Sequence, residues 1–386
     1  MLVACIVTVI ALGFPVGRGQ ESSVADAATT SSTASKSRAA PPVFAYYYIW
    51  FDRASWDRAK IDVPALGKYS SDDPNVMRQH IRLAKLAGIT GFIVSWKHTK
   101  TLDRRLSMLI DIAASEHFSL AMIYQGLDFY KRPLPAVRVA ADLDLFARVY
   151  ASRSPFRGFS KPLVIWSGTW KFSAADIKRA TQPVRDRVLV LASERNVKGY
   201  ERVADAVDGD AYYWSSVNPD TFPGYRKKLE LMANAVHDRH GLWIAPAAPG
   251  FDARKIKGTT VVQREQGRTL IRECATAYSS KPDILGLISW NEFTENTYIE
   301  PSEKYGTRYV AVATRCRPGT SGLPSDGSGP HYDVDSSAPG KGFPSGLVVV
   351  PVTIAVMAGA VVVSVRRRRQ GPRRSDPNAA SSKTTS

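Results

Sequence analysis

Two glutamates three residues apart, Glu292 and Glu295, are the sharpest candidates for chemistry in this 386-residue chain. Cleavage of a glycosidic bond needs two carboxyl groups beside it, one protonated to assist the leaving oxygen and one ionised as base or nucleophile. Two carboxyl groups that share a partly dry pocket have pKa values that separate, which provides both states near neutral pH. Most glutamate pairs with this spacing are solvated at the start of a helix. Here the apolar run 284–288 and the flanking Trp290 and Phe293 favour a pair that leaves a buried strand.

Aromatic and polar residues also follow the ends of other predicted strands. Aromatic rings at the open end of a barrel are platforms for the apolar faces of sugars. Any one of these residues could equally fill the core, but their clustering with Asp, Glu and His favours a carbohydrate cleft. The candidate substrate-binding residues are Tyr46, Tyr47, Trp50, Trp96, His98, Tyr124, Trp214, Asp252, Trp290 and Asn291.

The elements that must position these residues alternate along the chain between residues 41 and 316. The predicted strands are 43–50, 91–96, 119–124, 162–166, 187–192, 211–214, 242–246 and 285–290, and the predicted helices are 73–87, 102–116, 141–152, 174–182, 199–206, 224–240 and 263–279. This α/β alternation predicts a (β/α)8 TIM barrel, in which catalytic groups sit at the C-terminal ends of the strands. An open doubly wound sheet is the competing fold. The sequence lacks a GxGxxG after the first strand and a GxxxxGK[ST], so nucleotide-binding versions of that sheet lose support.

The segment from Ser289 to Pro301, SWNEFTENTYIEP, resembles the signature S-[FW]-N-E-[WF]-x-E-[GN]-x-x-[IL]-E-P of glycoside hydrolase family 99 and its relatives, the endo-α-mannosidase and endo-mannanase group. Supporting segments follow in the family's order at 44–50, 67–71, 80–96 and 249–252. Together they cover essentially the whole of residues 41–316. Family mannosidases commonly read NEWHEG where this chain reads NEFTEN. The departures at Thr294 and Asn296 keep both carboxyl groups but alter the wall of the pocket.

The resemblance implies a retaining endo-glycosidase that uses neither a metal nor a cofactor. In that mechanism Glu292 deprotonates the 2-hydroxyl of the sugar, which attacks the anomeric carbon to form a 1,2-anhydro sugar. Glu295 protonates the leaving oxygen and then activates the water that opens the ring, and both roles are proton transfers that position and pKa can accelerate. The residues that would surround the cleaved bond are Tyr46, Tyr47, Trp96, Tyr124 and Asp252.

We therefore expect a monomeric enzyme acting on an α-mannan-like polysaccharide or glycan. Two alternatives stay open at this point. One is a non-catalytic, lectin-like carbohydrate-binding protein built on the same barrel, and the other is a relative associated with polysaccharide biosynthesis.

The formal charge of +17 suggests a nucleic-acid partner until its distribution is considered. The tail 366–386 contains six Arg, one Lys and one Asp, and so carries +6 of this charge. The positive residues of 53–315 are scattered along helical patterns and interleaved with acids, which is typical of a solvated face. We expect no nucleic-acid partner. We also expect no metal site, because His98, His237 and His240 form no i, i+4 pair with a nearby acid.

Both ends of the chain carry patterns of export and membrane anchoring. Residues 347–365 are uncharged and long enough to cross a bilayer, and the arginines that follow place the tail in the cytoplasm by the positive-inside rule. The apolar run near the N-terminus has the length of a signal peptide. We expect a single-pass cell-membrane protein with its catalytic domain outside. The predicted segments are a signal peptide at 1–20, a low-complexity linker at 21–40, the catalytic domain at 41–316, a stalk at 317–346, a transmembrane helix at 347–365 and a basic cytoplasmic tail at 366–386.

The cysteines agree with export. Cys5 falls in the predicted signal peptide, which leaves Cys274 and Cys316 as an even pair. An oxidising compartment would permit these two to form a disulfide. Two separately buried thiols are an equally acceptable interpretation.

Overall fold

The computed structural model describes residues 40–318. The predicted signal peptide 1–20, linker 21–40, stalk 317–346, transmembrane helix 347–365 and tail 366–386 lie outside this range, apart from residues 40, 317 and 318. Within the described range, no helix combines the length and the apolar character that a membrane span requires.

Eight parallel strands form the central sheet of the described chain, in the order β5-β4-β3-β2-β1-β10-β7-β6. The strands are β1 (Val43–Tyr48), β2 (Gly91–Trp96), β3 (Ser119–Gln125), β4 (Leu163–Ser167), β5 (Leu189–Leu191), β6 (Gly209–Ala211), β7 (Leu242–Ala247), β8 (Phe251–Asp252), β9 (Val261–Val262) and β10 (Ile284–Leu287). β8 and β9 pair separately as a short antiparallel hairpin in the loop after β7. The N–H of Ala192 donates to the Gly209 carbonyl and the N–H of Ala211 donates to the Ala192 carbonyl, which joins the two edges of the sheet. The predicted eight-stranded α/β barrel is confirmed.

Helices follow most of the barrel strands and surround them. They are α1 (Pro74–Leu86), α2 (Lys100–Ser115), α3 (Ala136–Val149), α4 (Ala174–Thr181), α5 (Val197–Val203), α6 (Tyr225–His237), α7 (Arg268–Ser279) and α8 (Arg308–Ala313). Most starts lie within two residues of the sequence prediction, and the two that differ by five residues, those of α3 and α7, do so for local reasons. α3 begins directly after Pro135, whose ring favours a helix start, and so precedes the predicted start at 141. α7 begins only after Gln266 and Gly267, which both have left-handed backbone angles that no helix contains.

The apolar side chains of the strands form two clusters on opposite faces of the barrel wall. One cluster fills the interior and includes Phe44, Tyr46, Tyr48, Ile93, Ile123, Ile165 and Ile244. The other lies between the strands and the helices and includes Ala45, Tyr47, Val94, Trp96, Met122, Tyr124 and Trp166. Successive side chains of a strand point to opposite faces, so the two sets alternate along each strand. This alternation decides which strand-end residues can reach the mouth of the barrel.

A disulfide joins Cys274 of α7 to Cys316, which follows α8. The alternative of two separate thiols is therefore excluded. The bond closes a loop with a sequence separation of 42, for which the chain-entropy model gives about 4 kcal/mol of stabilisation. It holds the last helix of the described chain against α7 at the outside of the barrel.

Candidate active site

The two candidate glutamates lie on the segment that directly follows β10. The N–H of Trp290 donates to the Tyr46 carbonyl over 2.8 Å, so contact with β1 continues beyond the end of β10. The chain then turns back, because the N–H of Ser289 donates to the Thr297 carbonyl over 2.8 Å and the N–H of Thr297 donates to the Glu292 carbonyl over 3.2 Å. The peptide bond between Ile288 and Ser289 is cis. This closed turn holds both carboxyl groups at the C-terminal end of the barrel, where the fold predicts catalytic groups.

Glu292 is buried and its carboxylate is held by the turn itself. The N–H of Thr294 donates to Oε1 of Glu292 over 2.8 Å, and the Thr294 hydroxyl adds a second hydrogen bond. The N–H of Glu292 donates to Oγ of Ser289 over 2.8 Å. Burial raises the pKa of Glu292 above its ordinary value, although the Thr294 hydrogen bonds and the charge of Lys60 act in the opposite direction. Donors aimed at the carboxylate favour its ionised form, which suits a base.

Glu295 is half-buried and bonded in a different way. No residue in the range 40–318 donates a hydrogen bond to its carboxyl oxygens, although its backbone carbonyl accepts from the N–H of Asp252 over 2.8 Å. Burial, and then the charge of Glu292, raise the pKa of Glu295 to about 7. A carboxyl group with that pKa exchanges a proton readily near neutral pH. The pair thus offers one carboxylate stabilised by donors and one carboxyl group that can hold a proton.

Two tyrosine hydroxyls face the carboxyl pair. Tyr48 ends β1 and Tyr213 follows β6, and their hydroxyls are hydrogen-bonded to each other. Burial raises the pKa of both hydroxyls, and the charges of the two glutamates raise them further, so both remain protonated donors. Neither residue was among the predicted substrate-binding residues. Counting in twos from Tyr46 would have selected Tyr48, because the two share the interior face of β1.

Lys60 is a third residue that sequence reasoning missed. Its ammonium group donates to the backbone carbonyls of Ser55 and Arg58, the latter over 3.1 Å, and lies 5.4 Å from the ring centre of Trp56. Burial lowers the pKa of Lys60, and the charge of Glu292 raises it. Lys60 comes from the long loop after β1, and no motif or strand end marks it in the sequence.

Asn291 is fully buried and holds the end of β1 in place. Its Oδ1 accepts from the N–H of Tyr48 over 2.8 Å, and its Nδ2 donates to the Tyr48 carbonyl over 2.9 Å. Nδ2 also lies 3.3 Å from the hydroxyl of Tyr69. The predicted contact of Asn291 with substrate is therefore corrected, because its side-chain polar atoms are taken up by the protein.

Four more of the predicted substrate-binding residues point away from the mouth, into the layer between strands and helices: Tyr47, Trp96, Tyr124 and Trp290. The indole N–H of Trp96 donates to Asp103 of α2 over 2.9 Å. The hydroxyl of Tyr124 donates to Asp142 of α3 over 2.9 Å. Predicted sugar contact is wrong for these four, which are buried on the helix-facing side. The error arises because aromatic character does not reveal which face of a strand a residue occupies.

The remaining candidates lie at or near the mouth. Tyr46 is buried in the interior with its ring 4.6 Å from that of Tyr213. Trp50 is 40% exposed, and its ring centre lies 4.4 Å from that of Tyr48, which leaves an open indole face beside the site. Trp214 is half-buried and follows β6. Contact of these residues with a sugar stays a prediction.

His98 and Asp252 are each paired with a charged neighbour. Nδ1 of His98 lies 2.7 Å from Asp103 at the rim after β2. Asp252, in the hairpin after β7, accepts from Arg254, and the hydrogen bond and then the charge of Arg254 lower the pKa of Asp252. Gly250 precedes this hairpin with φ +152, and a Cβ there would lie 2.6 Å from Arg264. Within residues 40–318, no group of three or more His, Cys, Asp and Glu could hold a metal ion.

No protein-family model matches the chain. Among curated proteins the chain is similar to a glycoprotein endo-alpha-1,2-mannosidase-like protein of Mus musculus, with 23% identity over 265 residues, which is 61% of this chain and 57% of that protein. The human protein of the same name is 23% identical over 265 residues, covering 61% of this chain and 56% of that protein. The chain thus spans rather more than half the length of these curated relatives.

Solved structures extend the similarity over the whole barrel. The GH99 endo-alpha-mannosidase of Bacteroides thetaiotaomicron is 20% identical with a TM-score of 0.63, covering 70% of this chain and 95% of that one. The fold is that of a glycoside hydrolase family 99 protein. The resemblance predicted from the segment 289–301 is therefore confirmed. At this identity, the structural similarity establishes the fold and not the reaction.

The two departures from the family signature have clear structural consequences. Asn296 has φ +56, a left-handed angle that glycine adopts freely and that asparagine tolerates better than most residues. It can therefore stand where family mannosidases commonly have Gly, and its carbonyl accepts from Arg264 over 2.9 Å. Thr294 stands where they have His, and it donates to Glu292 through both its N–H and its hydroxyl. The turn keeps its shape while the side chain beside Glu292 changes.

Proposed function

We propose that this protein is an endo-acting glycoside hydrolase that cleaves internal α-mannosidic or related α-glycan bonds of a glycan chain. The observation that carries the proposal is the difference between its two carboxyl groups. Glu292 accepts hydrogen bonds that favour its ionised form, whereas Glu295 has no donor among the described residues and a pKa raised to about 7. The match of the fold to family 99 endo-mannosidases supports the same reaction class.

In the first step of the proposed mechanism, the Glu292 carboxylate takes the proton of the sugar's 2-hydroxyl. The freed oxygen attacks the anomeric carbon from the same sugar ring, and the bond from that carbon to the leaving oxygen breaks. Glu295 gives its proton to the leaving oxygen as this bond breaks. The products are a 1,2-anhydro sugar, a shortened glycan, a protonated Glu292 and an ionised Glu295.

In the second step, water replaces the leaving group. The Glu295 carboxylate takes a proton from the water, whose oxygen attacks the anomeric carbon, and the bond between that carbon and the 2-oxygen breaks. Glu292 returns its proton to the 2-oxygen. Both glutamates regain their starting states, and two inversions at the anomeric carbon give net retention. One of the neighbouring hydroxyls of Tyr48 and Tyr213 donates to the other, and the second provides a donor for a sugar oxygen.

The proposed location is the outer face of the cell membrane, with the protein acting as a monomer. This part rests on the sequence patterns at 1–20, 347–365 and 366–386. The disulfide between Cys274 and Cys316 is compatible with an oxidising compartment.

The test is a product analysis on a panel of α-mannans and α-glucans, in which new reducing ends and product lengths are measured for the purified full chain. We expect internal cleavage of at least one α-mannan. Glu295→Gln should lower the rate by about 10²–10⁴-fold, because general acid–base catalysis contributes that much, while the fold and glycan binding persist. Glu303→Gln is the matched control, since Glu303 is an exposed glutamate of the same segment.

Three results would contradict the proposal in different ways. Cleavage by Glu295→Gln at the wild-type rate would show that Glu295 is not the acid. Binding of glycans with no new reducing ends across the whole panel would favour the lectin-like protein. Absence of both binding and cleavage would favour a relative associated with polysaccharide biosynthesis.

A further inference from the structure

Arg195 follows β5 at the catalytic end of the barrel and lies between two tryptophan rings. Its guanidinium carbon is 4.2 Å from the ring centre of Trp170, which follows β4. It is 5.1 Å from the ring centre of Trp214, which follows β6. Three neighbouring strand ends therefore build one stack, which we call the Trp170–Arg195–Trp214 stack. A guanidinium that lies flat between aromatic faces keeps its edge of N–H donors free.

No acidic side chain within residues 40–318 forms a salt bridge with Arg195, which is exposed. Burial raises the pKa of the adjacent Glu194, which accepts from Arg202 over 3.1 Å, and the charges of Arg202 and Arg195 act in the opposite direction. Exposed arginines elsewhere on the barrel commonly have a carboxylate partner, as Arg148 does with Asp144 at 2.7 Å. The guanidinium of Arg195 thus lies close to two aromatic rings, and its side chain is exposed to solvent without a salt bridge.

A second cation lies next to the stack. The ammonium of Lys228 in α6 donates to the hydroxyl of Tyr212 over 2.8 Å and lies 4.4 Å from the centre of that ring. The Tyr212 ring is nearly parallel to that of Trp214, with 7° between their planes. Burial, and then the positive charge of Arg195, lower the pKa of Lys228. The two cations are therefore close enough to repel each other.

The start of α6 adds to this positive charge. Arg226 and Lys227 precede Lys228 in the first turn, which contains no acidic residue, and the N-cap Gly224 supplies no side-chain cap. A helix N-terminus carries partial positive charge, so cations there are unfavourable and an anion is favourable. The cationic side chains in the first turn of α6 thus add to the partial positive charge of the helix N-terminus. A bound anion would relieve that repulsion.

We propose that the Trp170–Arg195–Trp214 stack and Lys228 form a subsite for an anionic group, a carboxylate or a phosphate, carried by the glycan away from the cleaved bond. This rests on the proposed function. Charge-assisted bonds from a planar guanidinium to such groups are strong and are often bidentate. Tyr213 connects the subsite to the carboxyl pair. It lies between Tyr212 and Trp214 in the sequence, and its hydroxyl is bonded to that of Tyr48.

The test compares three α-linked mannotetraoses that differ only in one group at the non-reducing end, which is a primary alcohol, a carboxylate or a phosphate. Affinities are measured by calorimetry at low and high salt with the full chain carrying Glu295→Gln, so that binding is separated from cleavage. We expect an anionic tetraose to bind about tenfold more tightly than the neutral one at low salt. The carboxylate and phosphate arms show which anion the subsite prefers.

Variants localise the effect. Arg195→Gln should remove the preference for the anionic tetraose and leave the neutral affinity within about twofold. Arg195→Lys keeps the charge without the planar fork, and should retain part of the preference. Arg226→Gln is the matched comparison, because it removes one exposed charge beside the stack and should lower the preference for the anionic tetraose by less than Arg195→Gln does. Thermal melts show whether each variant is folded. If Arg195→Gln does not fold, Arg195→Lys serves as the test.

Three outcomes would overturn the subsite. Equal affinities of the wild-type stack for all three tetraoses would show no preference for an anion. If Arg195→Gln lowers the affinity for all three tetraoses equally, the stack binds the neutral part of the sugar and not the anion. If Arg226→Gln lowers the preference for the anionic tetraose as much as Arg195→Gln does, the attraction comes from the general positive charge of this region and not from the stack. If wild-type protein cleaves the neutral α-mannan in any of these cases, only the subsite fails, whereas absence of both binding and cleavage overturns the proposed function together with it.

Discussion

Glu292 and Glu300 lie on the same segment after β10, both are buried, and their surroundings differ. Oε1 of Glu300 lies 3.0 Å from Nε2 of His80, and its Oε2 accepts from the hydroxyl of Tyr69 over 2.9 Å. Nδ1 of His80 in turn lies 3.0 Å from the hydroxyl of Tyr47. Glu300 thus completes a closed network behind the turn. Glu292 instead shares its pocket with the carboxyl group of Glu295, and each charge disfavours the other.

The difference shows that one short segment contains both a glutamate that supports the fold, Glu300, and a glutamate placed for chemistry, Glu292. A buried carboxyl group with a partner at each oxygen is held by the surrounding fold, and the side chain of Glu300 is completely buried and out of reach of substrate. A carboxyl group with unoccupied acceptor positions and a raised pKa reduces stability, yet it can exchange protons with a ligand. The resembling signature contains Glu292, Glu295 and Glu300 alike. Only their surroundings distinguish the candidate catalytic pair from the supporting residue.

The largest effect that tests this comparison is on catalysis. Glu292→Gln removes the proposed base, so we expect the cleavage rate on α-mannan to fall by about 10²–10⁴-fold. The substitution preserves shape and removes a buried charge, and the melting temperature should change by only a few degrees. Reducing-end assays and thermal melts measure the two quantities. A variant with full activity would place the base elsewhere.

The same substitution at Glu300 should affect stability instead. Glu300→Gln replaces a carboxylate that accepts from two partners, and hydrogen bonds to charged groups are worth about 1.5–3 kcal/mol, so we expect the free energy of unfolding to fall by about 2–3 kcal/mol. The cleavage rate per folded molecule should stay within about tenfold of wild type. Urea titration gives the stability, with Glu303→Gln as an exposed control expected to change it by less than about 0.5 kcal/mol. Loss of activity without loss of stability would make Glu300 part of the catalytic machinery.

The smallest effect concerns pH. The pKa of Glu295 is raised from 4.5 to about 7 in the folded protein, so the folded state binds this proton more tightly than the unfolded chain. Stability is therefore fully present below about pH 4.5 and falls as the pH rises to about 7. Glu295→Gln removes this loss, and the variant should exceed wild type by about 1–2 kcal/mol at pH 8, a value reduced for the partial exposure of Glu295.

Urea titrations at pH 5 and pH 8 measure this difference, which should be larger at pH 8. The same pKa predicts that wild-type cleavage declines above about pH 7, as Glu295 loses the proton that it must donate. An equal effect of the substitution at both pH values would show that Glu295 has an ordinary pKa.

Much of the fold could be predicted because strand patterns and helix patterns alternate along the sequence of the barrel. Each strand and helix has its own periodicity of apolar residues, and eight strands that alternate with helices leave few alternative topologies. The boundaries were less predictable where backbone geometry overrides periodicity. Pro135 starts α3 early, and the left-handed Gln266 and Gly267 delay α7. The disulfide could be predicted only as one of two options, because pairing depends on the distance between α7 and the chain after α8.

The barrel, the strand end that carries the chemistry and the two glutamates of the candidate pair all follow from residue patterns along the chain. Their neighbours in the site follow from the packing of distant segments. Of the three consecutive tyrosines 46–48, the tertiary structure turns Tyr46 and Tyr48 inward and Tyr47 towards the helices, since packing sets the phase of the alternation. It also brings Tyr213 and Lys60 to the site from distant loops. The reason is physical: local periodicity is encoded within a few residues, whereas the surroundings that tune a carboxyl group come from chain segments that only folding brings together.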